Sequence, residues 1–370
     1  MKLIYLSPIP WASFAQRPHR FVEWFHTRFR GDVLWFDPYP TRFPRLSDFR
    51  RRASHTQREP GLAADLHPPA WLTVIKPRTV PIEPLAIGAK LNRLLWRHSM
   101  ANMDRFLSAG DCLLGIGKPS ELALQIMARN PDVPSLYDAM DDFPAFYDGL
   151  SRRAMERREQ EVAARATKIS ASSTALLARF RVHKEKLFSV LNACSTDSLP
   201  PPGNLGRSGP GVIGYVGTIG HWFDWEFVTA LATASPSTLV RLIGPVYKTP
   251  PKSLPPNVEL LPACPHPNAM RLMQEFSMGL IPFCRTSLTA SVDPIKYYEY
   301  RALGLPVIST QFGEMALRGD EPGVFLADEF SDLANLTNSA INHRYSASEV
   351  EDFRTKNSWD VRFDSSGILP

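Results

Sequence analysis

Along the first two hundred residues, short apolar runs alternate with longer stretches whose apolar positions recur every three or four residues. Lys2-Leu3-Ile4-Tyr5-Leu6 has the pattern of a buried strand. After a Ser/Pro loop, Pro18 to Phe29 puts Phe21, Val22, Phe25 and Phe29 on one side of a helix. Further strands are expected at Val33–Phe36, Leu72–Ile75, Cys112–Ile116, Ser135–Tyr137 and Lys168–Ala171, with a charged helix over Arg152–Thr167 before the last. Such short, apolar strands alternating with helices predict a parallel sheet covered on both faces.

The rhythm breaks between Ser198 and Gly211, which is rich in Pro and Gly and has the composition of a linker. It restarts with Val212–Val216 and a helix from Phe223 to Ala234. Strands recur at Thr238–Ile243, Val258–Leu261, Met278–Ile281, Val307–Ser309 and Gly323–Leu326. Beyond Ser346 the pattern is helical, and Ser358–Phe363 closes it. The pattern predicts an α/β protein with two doubly wound units: residues 1–197, a linker 198–211, residues 212–347, and a C-terminal segment 348–370. Ligands of such sheets bind at the carboxyl ends of the strands, so a cleft between the two units is expected.

Composition agrees with two ordinary globular units. The chain has 370 residues, 44% apolar and 21% charged, which is too long for one usual core. No run of about 18 apolar residues predicts a spanning helix, and Pro8 and Pro10 break the N-terminal run before a secretory h-region forms. Cys112, Cys194, Cys264 and Cys284 lack paired spacing, so reduced thiols in a cytoplasmic protein without a metal site are expected. Charge is uneven: residues 1–200 hold 29 Lys+Arg against 20 Asp+Glu, a balance of +9, within a total of +5. A basic half without any nucleic-acid recognition motif favours an anionic membrane surface over nucleic acid. Arg50-Arg51-Arg52 and the segment Lys90, Arg93, Arg97, His98, with Leu91, Leu94, Leu95 and Trp96, are the residues expected there. The bland reading puts the Trp and Leu side chains in the core, with the arginines only solubilising the helix.

Three segments carry chemistry. Asp293 to Thr310 reads as loop, helix and buried strand, with Pro294 in the first turn and Gly304 and Pro306 stopping the helix. Lys296 and Glu299 then share a face near the helix N-terminus, a site suited to phosphate. Taken bare, the two also read as a surface ion pair. Gly214, Gly217 and Gly220 follow a strand at spacing three, which is a tight turn unless its N–H groups meet a phosphate. Asp138, Asp141 and Asp142 crowd the end of another strand. Crowding raises a carboxyl's proton affinity toward that of a general base, whereas capping of a helix would need no catalysis.

The string Asp293-Pro294-Ile295-Lys296 … Glu299-Tyr300 … Ala302 … Gly304 … Pro306-Val307 resembles the donor-nucleotide signature "(S/D)P-x-K-x-x-E-(Y/A)-x-A-x-G-x-P-V" of GT-B glycosyltransferases, the group that includes glycosyltransferase family 4. The likeness extends over nearly the whole chain. Tyr215–Ile219 with Trp222-Phe223-Asp224, Leu242–Val246, Pro256–Leu261 and Leu280–Phe283 resemble the donor domain. Gln16-Arg17-Pro18-His19 resembles the start of the first acceptor-domain helix, and the Ser358-Trp359-Asp360 segment the helix that crosses back to it. One departure stands out: many family 4 members carry two glutamates eight positions apart, and here the first falls on Ser291.

The resemblance implies a GT-B fold of two Rossmann-like domains and transfer of a sugar from a nucleotide donor, with UDP as the usual carrier. It implies a polysaccharide or lipid-linked oligosaccharide acceptor, surface polysaccharide synthesis, and no cofactor or metal. Donor contacts fall on Gly217, Thr218, Ile219, Gly220, Asp293, Lys296 and Glu299. Tyr137-x-x-x-Asp141 is similar to the stretch that ends in the base of xanthan-type glucuronosyltransferases, which makes Asp141 the candidate base. His19 is the next catalytic candidate, with Arg17, Asp138 and Asp142 on the acceptor side and Arg17 a partner for an acceptor phosphate. A non-catalytic sugar or nucleotide-binding partner and a nucleotide-sugar epimerase of similar fold are the competing readings.

Overall fold

A computed structural model describes residues 1–13, 15–41, 67–80, 83, 86–196, 199–202, 211–329 and 331–369. Arg50–Arg52 and most of the expected linker lie outside the described residues. The chain forms two compact units, Met1–Val190 with Phe363–Pro370, and Leu191–Arg362.

The first unit is built on strands β1 (Lys2–Leu6), β2 (Val33–Phe36), β3 (Leu72–Ile75), β4 (Cys112–Ile116), β5 (Ser135–Ala139), β6 (Lys168–Ala171) and β7 (Leu187–Ser189). They pair in the order β3-β2-β1-β4-β5-β6-β7, every pairing parallel. Strands buried on both faces need no alternation, which is why Leu3-Ile4-Tyr5-Leu6 and Val33-Leu34-Trp35-Phe36 are apolar throughout.

Helix α1 (Arg17–Phe29) buries Phe21, Val22, Trp24 and Phe25. Its start is a capping box between Gln16 and His19, and Arg30 ends it in the left-handed region. Between β3 and β4 lie α2 (Ala86–Leu95) and α3 (Arg97–Leu107), then α4 (Glu121–Arg129), α5 (Gly149–Arg165) and α6 (Thr174–Arg179) follow their strands. The chain's end returns to this unit: Phe363 sits 5.4 Å from Phe21 and 5.2 Å from Trp24, whose indole donates to Asp364 at 3.0 Å.

The second unit has strands β8 (Val212–Val216), β9 (Leu239–Ile243), β10 (Val258–Leu261), β11 (Met278–Ile281), β12 (Val307–Thr310) and β13 (Val324–Ala327). Their order is β10-β9-β8-β11-β12-β13, again parallel. Its helices are α7 (Trp225–Ala234), α8 (His266–Met273), α9 (Ile295–Ala302), α10 (Leu333–Asn342), α11 (Ala347–Lys356) and the start of α12 (Trp359–Asp364), whose last two residues belong to the first unit. One face of the sheet packs Ile213, Tyr215, Val240, Leu242 and Leu280 with Val228 and Leu231 of α7. The other packs Val216, Ile243 and Ile281 with Tyr297, Tyr298 and Tyr300 of α9.

In both sheets the chain runs outward from a first strand, returns and runs the other way. The reversal lies between β1 and β4 in one unit and between β8 and β11 in the other. Nucleotide-binding crevices open at that reversal, outside the strands' carboxyl ends.

Candidate functional site

At the carboxyl edge of the first sheet, β5 delivers Asp138 and then a turn carrying Asp141 and Asp142. Asp138 is 1% exposed and its acceptor capacity is taken up. Arg17 donates from Nε at 3.0 and 3.1 Å and from Nη2 at 2.8 Å, Ser170 Oγ donates at 2.6 Å, and Tyr5 lies at 3.4 Å. The remaining arm of Arg17, Nη1, donates to the Val190 carbonyl at 2.7 Å. Arg17 and Asp138 therefore join α1 to the sheet as a buried pair, and the expectation that they meet an acceptor is corrected.

His19 is corrected in the same way. Its Nδ1 accepts from the Gln16 N–H at 3.3 Å, and its Nε2 lies 3.0 Å from the Trp11 carbonyl, which fixes the neutral Nε2–H tautomer. Burial, the leading cause, lowers its pKa below the usual histidine value. With both nitrogens engaged, the ring holds the N-terminus of α1.

Asp142 opens the 3₁₀ turn Phe143–Phe146 but caps nothing with its side chain. Its Oδ1 lies 3.1 Å from Arg179 Nη1, aligned too poorly for a hydrogen bond. Asp141 differs from both neighbours. It is half-buried, and among the described residues its carboxyl makes neither a hydrogen bond nor an ion pair. Burial, opposed by Arg17 and aided by Asp138 and Asp142, pushes its pKa up to about 7. A carboxyl in that state accepts a proton near neutral pH.

In the second unit the loop after β8 sits at the sheet's reversal. Gly217 has φ +152°, and a Cβ there would lie 2.9 Å from the Tyr215 hydroxyl and 3.5 Å from Lys296 Cε. Lys296 thus runs directly against this turn. The backbone is tightly set: Gly217 donates to Ile243 and Ile219 to Pro245, both at 2.9 Å. The Ile219 N–H is therefore spent, which corrects its place among the donor contacts. The N–H groups of Thr218 and Gly220 have no protein acceptor among the described residues.

Helix α9 starts after Pro294, and Gly304 at φ +74° ends it, so Lys296 and Glu299 share its first turns. Their side chains pair at 2.6 Å, with 25% and 13% exposure. The surface-pair reading of these residues is thus half right: they pair, but in a recess. Asp293, in contrast, is 3% exposed and fully engaged. It accepts from the Asn192 N–H at 2.7 Å, from Tyr298 at 2.9 Å and from Arg318 at 2.8 Å. It anchors the helix start, and its expected donor contact is corrected.

Arg285, four residues beyond β11, went unnoticed in the sequence. It is exposed and has no partner among the described residues, while the Cys284 N–H is fixed to Trp222 at 2.7 Å and the Thr286 N–H to Thr289 at 2.9 Å. An arginine four residues past the end of the strand beside the glycine turn is the signal that could have found it. No group of three or more His, Cys, Asp or Glu side chains suited to a metal occurs among the described residues.

No family model matches the chain, and no curated protein matches its sequence. Solved structures do match in fold. A sucrose-phosphate synthase from Thermosynechococcus elongatus superposes with TM-score 0.67 at 13% identity, over 98% of this chain and 97% of that one. The Anabaena HepE protein in complex with UDP and glucose gives 0.61 at 16% identity, over 98% and 96%. An α,α-trehalose-phosphate synthase (UDP-forming) from Burkholderia vietnamiensis gives 0.57 at 12%, over 98% and 95%. The chain has the GT-B fold, with two Rossmann-like domains.

Proposed function

We propose that this chain is a glycosyltransferase that moves a sugar from a nucleoside-diphosphate donor to a hydroxyl of a glycan or lipid-linked oligosaccharide. The observation that carries the reading is Lys296 lying against the Gly217 turn at the reversal of the second sheet. A cation, two unused N–H groups and a helix N-terminus there suit a diphosphate leaving group without a metal. Glu299, released from Lys296 when phosphate takes the lysine, accepts from the ribose hydroxyls. Arg285 adds a second cation. Uridine is the base we favour, because HepE was solved with UDP and the trehalose-phosphate synthase is UDP-forming.

On the first unit, Asp141 takes the proton of the acceptor hydroxyl as its oxygen bonds to the anomeric carbon. The bond from that carbon to the phosphate oxygen breaks, and its electron pair leaves on the diphosphate. A thermal-shift panel of nucleoside diphosphates and UDP-sugars, followed by assay of UDP release, tests the reading. Binding at a hundredfold excess over Kd stabilises by about 2.7 kcal/mol. Absence of any nucleotide shift would overturn it, and binding without UDP release would favour a non-catalytic binder.

We place the acceptor at a membrane. Leu91, Leu94 and Leu95 are 43%, 53% and 39% exposed, while Trp96 is buried. Lys90, Arg93 and Arg97 are exposed among them. Exposed leucines alternating with cations suit the anionic cytoplasmic face of a bilayer, at about 1 kcal/mol per basic residue and screened by salt. Flotation should recover the chain with anionic vesicles and not with neutral ones. Surface polysaccharide synthesis is the pathway class this combination fits. No helix among the described residues is long and apolar enough to cross a membrane.

A further inference from the structure

Behind the Asp141 turn lies a charged cluster that the transfer reaction does not touch. Glu159 of α5 is 0% exposed, accepts from the Tyr137 hydroxyl at 3.1 Å, and accepts from Arg179 Nε at 2.9 Å and Nη2 at 2.5 Å. Tyr137 belongs to β5, four residues before Asp141. Arg179 ends α6, and its free arm Nη1 reaches 3.1 Å from Asp142. Helix α5, strand β5 and helix α6 thus converge on one guanidinium that touches the residue next to the base.

We infer that Arg179 is a positioning residue: shared between Glu159 and Asp142, it partly balances the Asp142 carboxylate and thereby sets the charge that Asp141 experiences. The inference rests on Asp141 as the base. Three charged groups act on Asp141: Arg17 of α1, Asp138 of β5 and Asp142 of its own turn. Arg17 and Asp138 are bound to each other, so Asp142 is the adjustable one. While Arg179 balances it, Asp142 repels a proton-free Asp141 less. Without Arg179 the bare neighbour favours the protonated base. The base then loses its charge at working pH.

The titration of Asp141, followed by carbon NMR of protein labelled at aspartate carboxyls, tests this without a known donor or acceptor. The Asp141→Asn variant identifies the signal by its loss. Arg179→Gln should raise the Asp141 midpoint by about one unit and Asp142→Asn should lower it, as expected for charges within contact range. In the Asp142→Asn background, Arg179→Gln should shift it much less. An unmoved midpoint in folded Arg179→Gln, or equal shifts in both backgrounds, overturns the inference.

If Arg179→Gln does not fold, Glu159→Gln decides. It frees Arg179 to bond Asp142 fully and should lower the midpoint, whereas no change overturns the proposal. The base assignment fails separately, if Asp141→Asn retains UDP release. A merely structural Arg179 would move the melting temperature and leave the Asp141 midpoint alone.

Discussion

The two strand edges are built alike and finished with opposite charges. In the first unit the buried pair Arg17–Asp138, at 2.8 Å, fixes the backbone, and the residue three positions on, Asp141, is left without a partner. In the second unit the buried pair Arg318–Asp293, also at 2.8 Å, fixes the start of α9, and the residue three positions on is Lys296. Each edge uses one ion pair to hold a turn and offers the next polar side chain to a ligand. The first edge offers an acid whose charge burial disfavours. The second offers a cation, held by Glu299 until something more strongly anionic displaces it. A proton acceptor and a diphosphate-binding cation, the roles we propose for Asp141 and Lys296, are two services that glycosyl transfer from a nucleotide sugar requires.

The sharpest way to break this comparison is to neutralise the acid alone. Asp141→Asn keeps the shape and removes the proton-accepting charge. UDP release or transfer should fall about 10²–10⁴-fold while nucleotide affinity stays close to the parent's, because the proposed donor contacts lie on the second unit. Steady-state kinetics with calorimetry on the same variant reads both quantities. Near-parental turnover in a folded variant would remove Asp141 as the base.

The strands and the α9 segment were legible because each rests on local rules. Apolar runs bounded by Pro and Gly give buried parallel strands, and Pro294 with Gly304 brackets a helix in which Lys296 and Glu299 must share a face. Partners far apart in sequence were not legible. Asp138 looks like one of three equal acids until Arg17, 121 positions away, is seen to saturate it. Asp293 looks like a donor contact until Arg318 and Asn192 claim it. Ile219 lost its place because its N–H completes a bridge to the Val246 segment, a register no local pattern reveals. Near α2 the core reading holds for Trp96, which is buried, and fails for Leu91, Leu94 and Leu95, which stay exposed.

Sharpening the other side of the comparison means separating Lys296 from Glu299. Lys296→Met should weaken UDP binding and also slow turnover, since charge on the leaving diphosphate grows in the transition state. Glu299→Ala should weaken binding of uridine as well as UDP, because the hydrogen bonds proposed for it go to the ribose. Hydrogen bonds to charged groups contribute about 1.5–3 kcal/mol each, so affinity should fall roughly ten- to a hundredfold, less whatever the lost ion pair returns. Calorimetry with uridine, UMP and UDP distinguishes the two roles. Parental UDP affinity in both folded variants would dismiss the donor site.

The smallest expected effect is on stability, and its sign separates a functional acid from a structural one. The Asp141 carboxyl has its pKa raised from 3.8 to about 7 in the fold, so the folded chain holds a proton that the unfolded chain gives up near pH 4. Stability from this group is full below pH 4 and is lost as pH rises through about 7. Glu159, raised from 4.5 to about 7 chiefly by burial, adds a loss of the same sign over nearly the same window. Asp141→Asn removes the Asp141 part, so this slower enzyme should melt higher than its parent at pH 8 and nearly equal to it at pH 4. Units of this size gain about 2–4 °C per kcal/mol, which calorimetric scans across that range resolve. Arg17→Ala should do the reverse at every neutral pH, because it strands Asp138 in the core. A variant that loses both activity and stability at pH 8 would instead mark Asp141 as a structural residue.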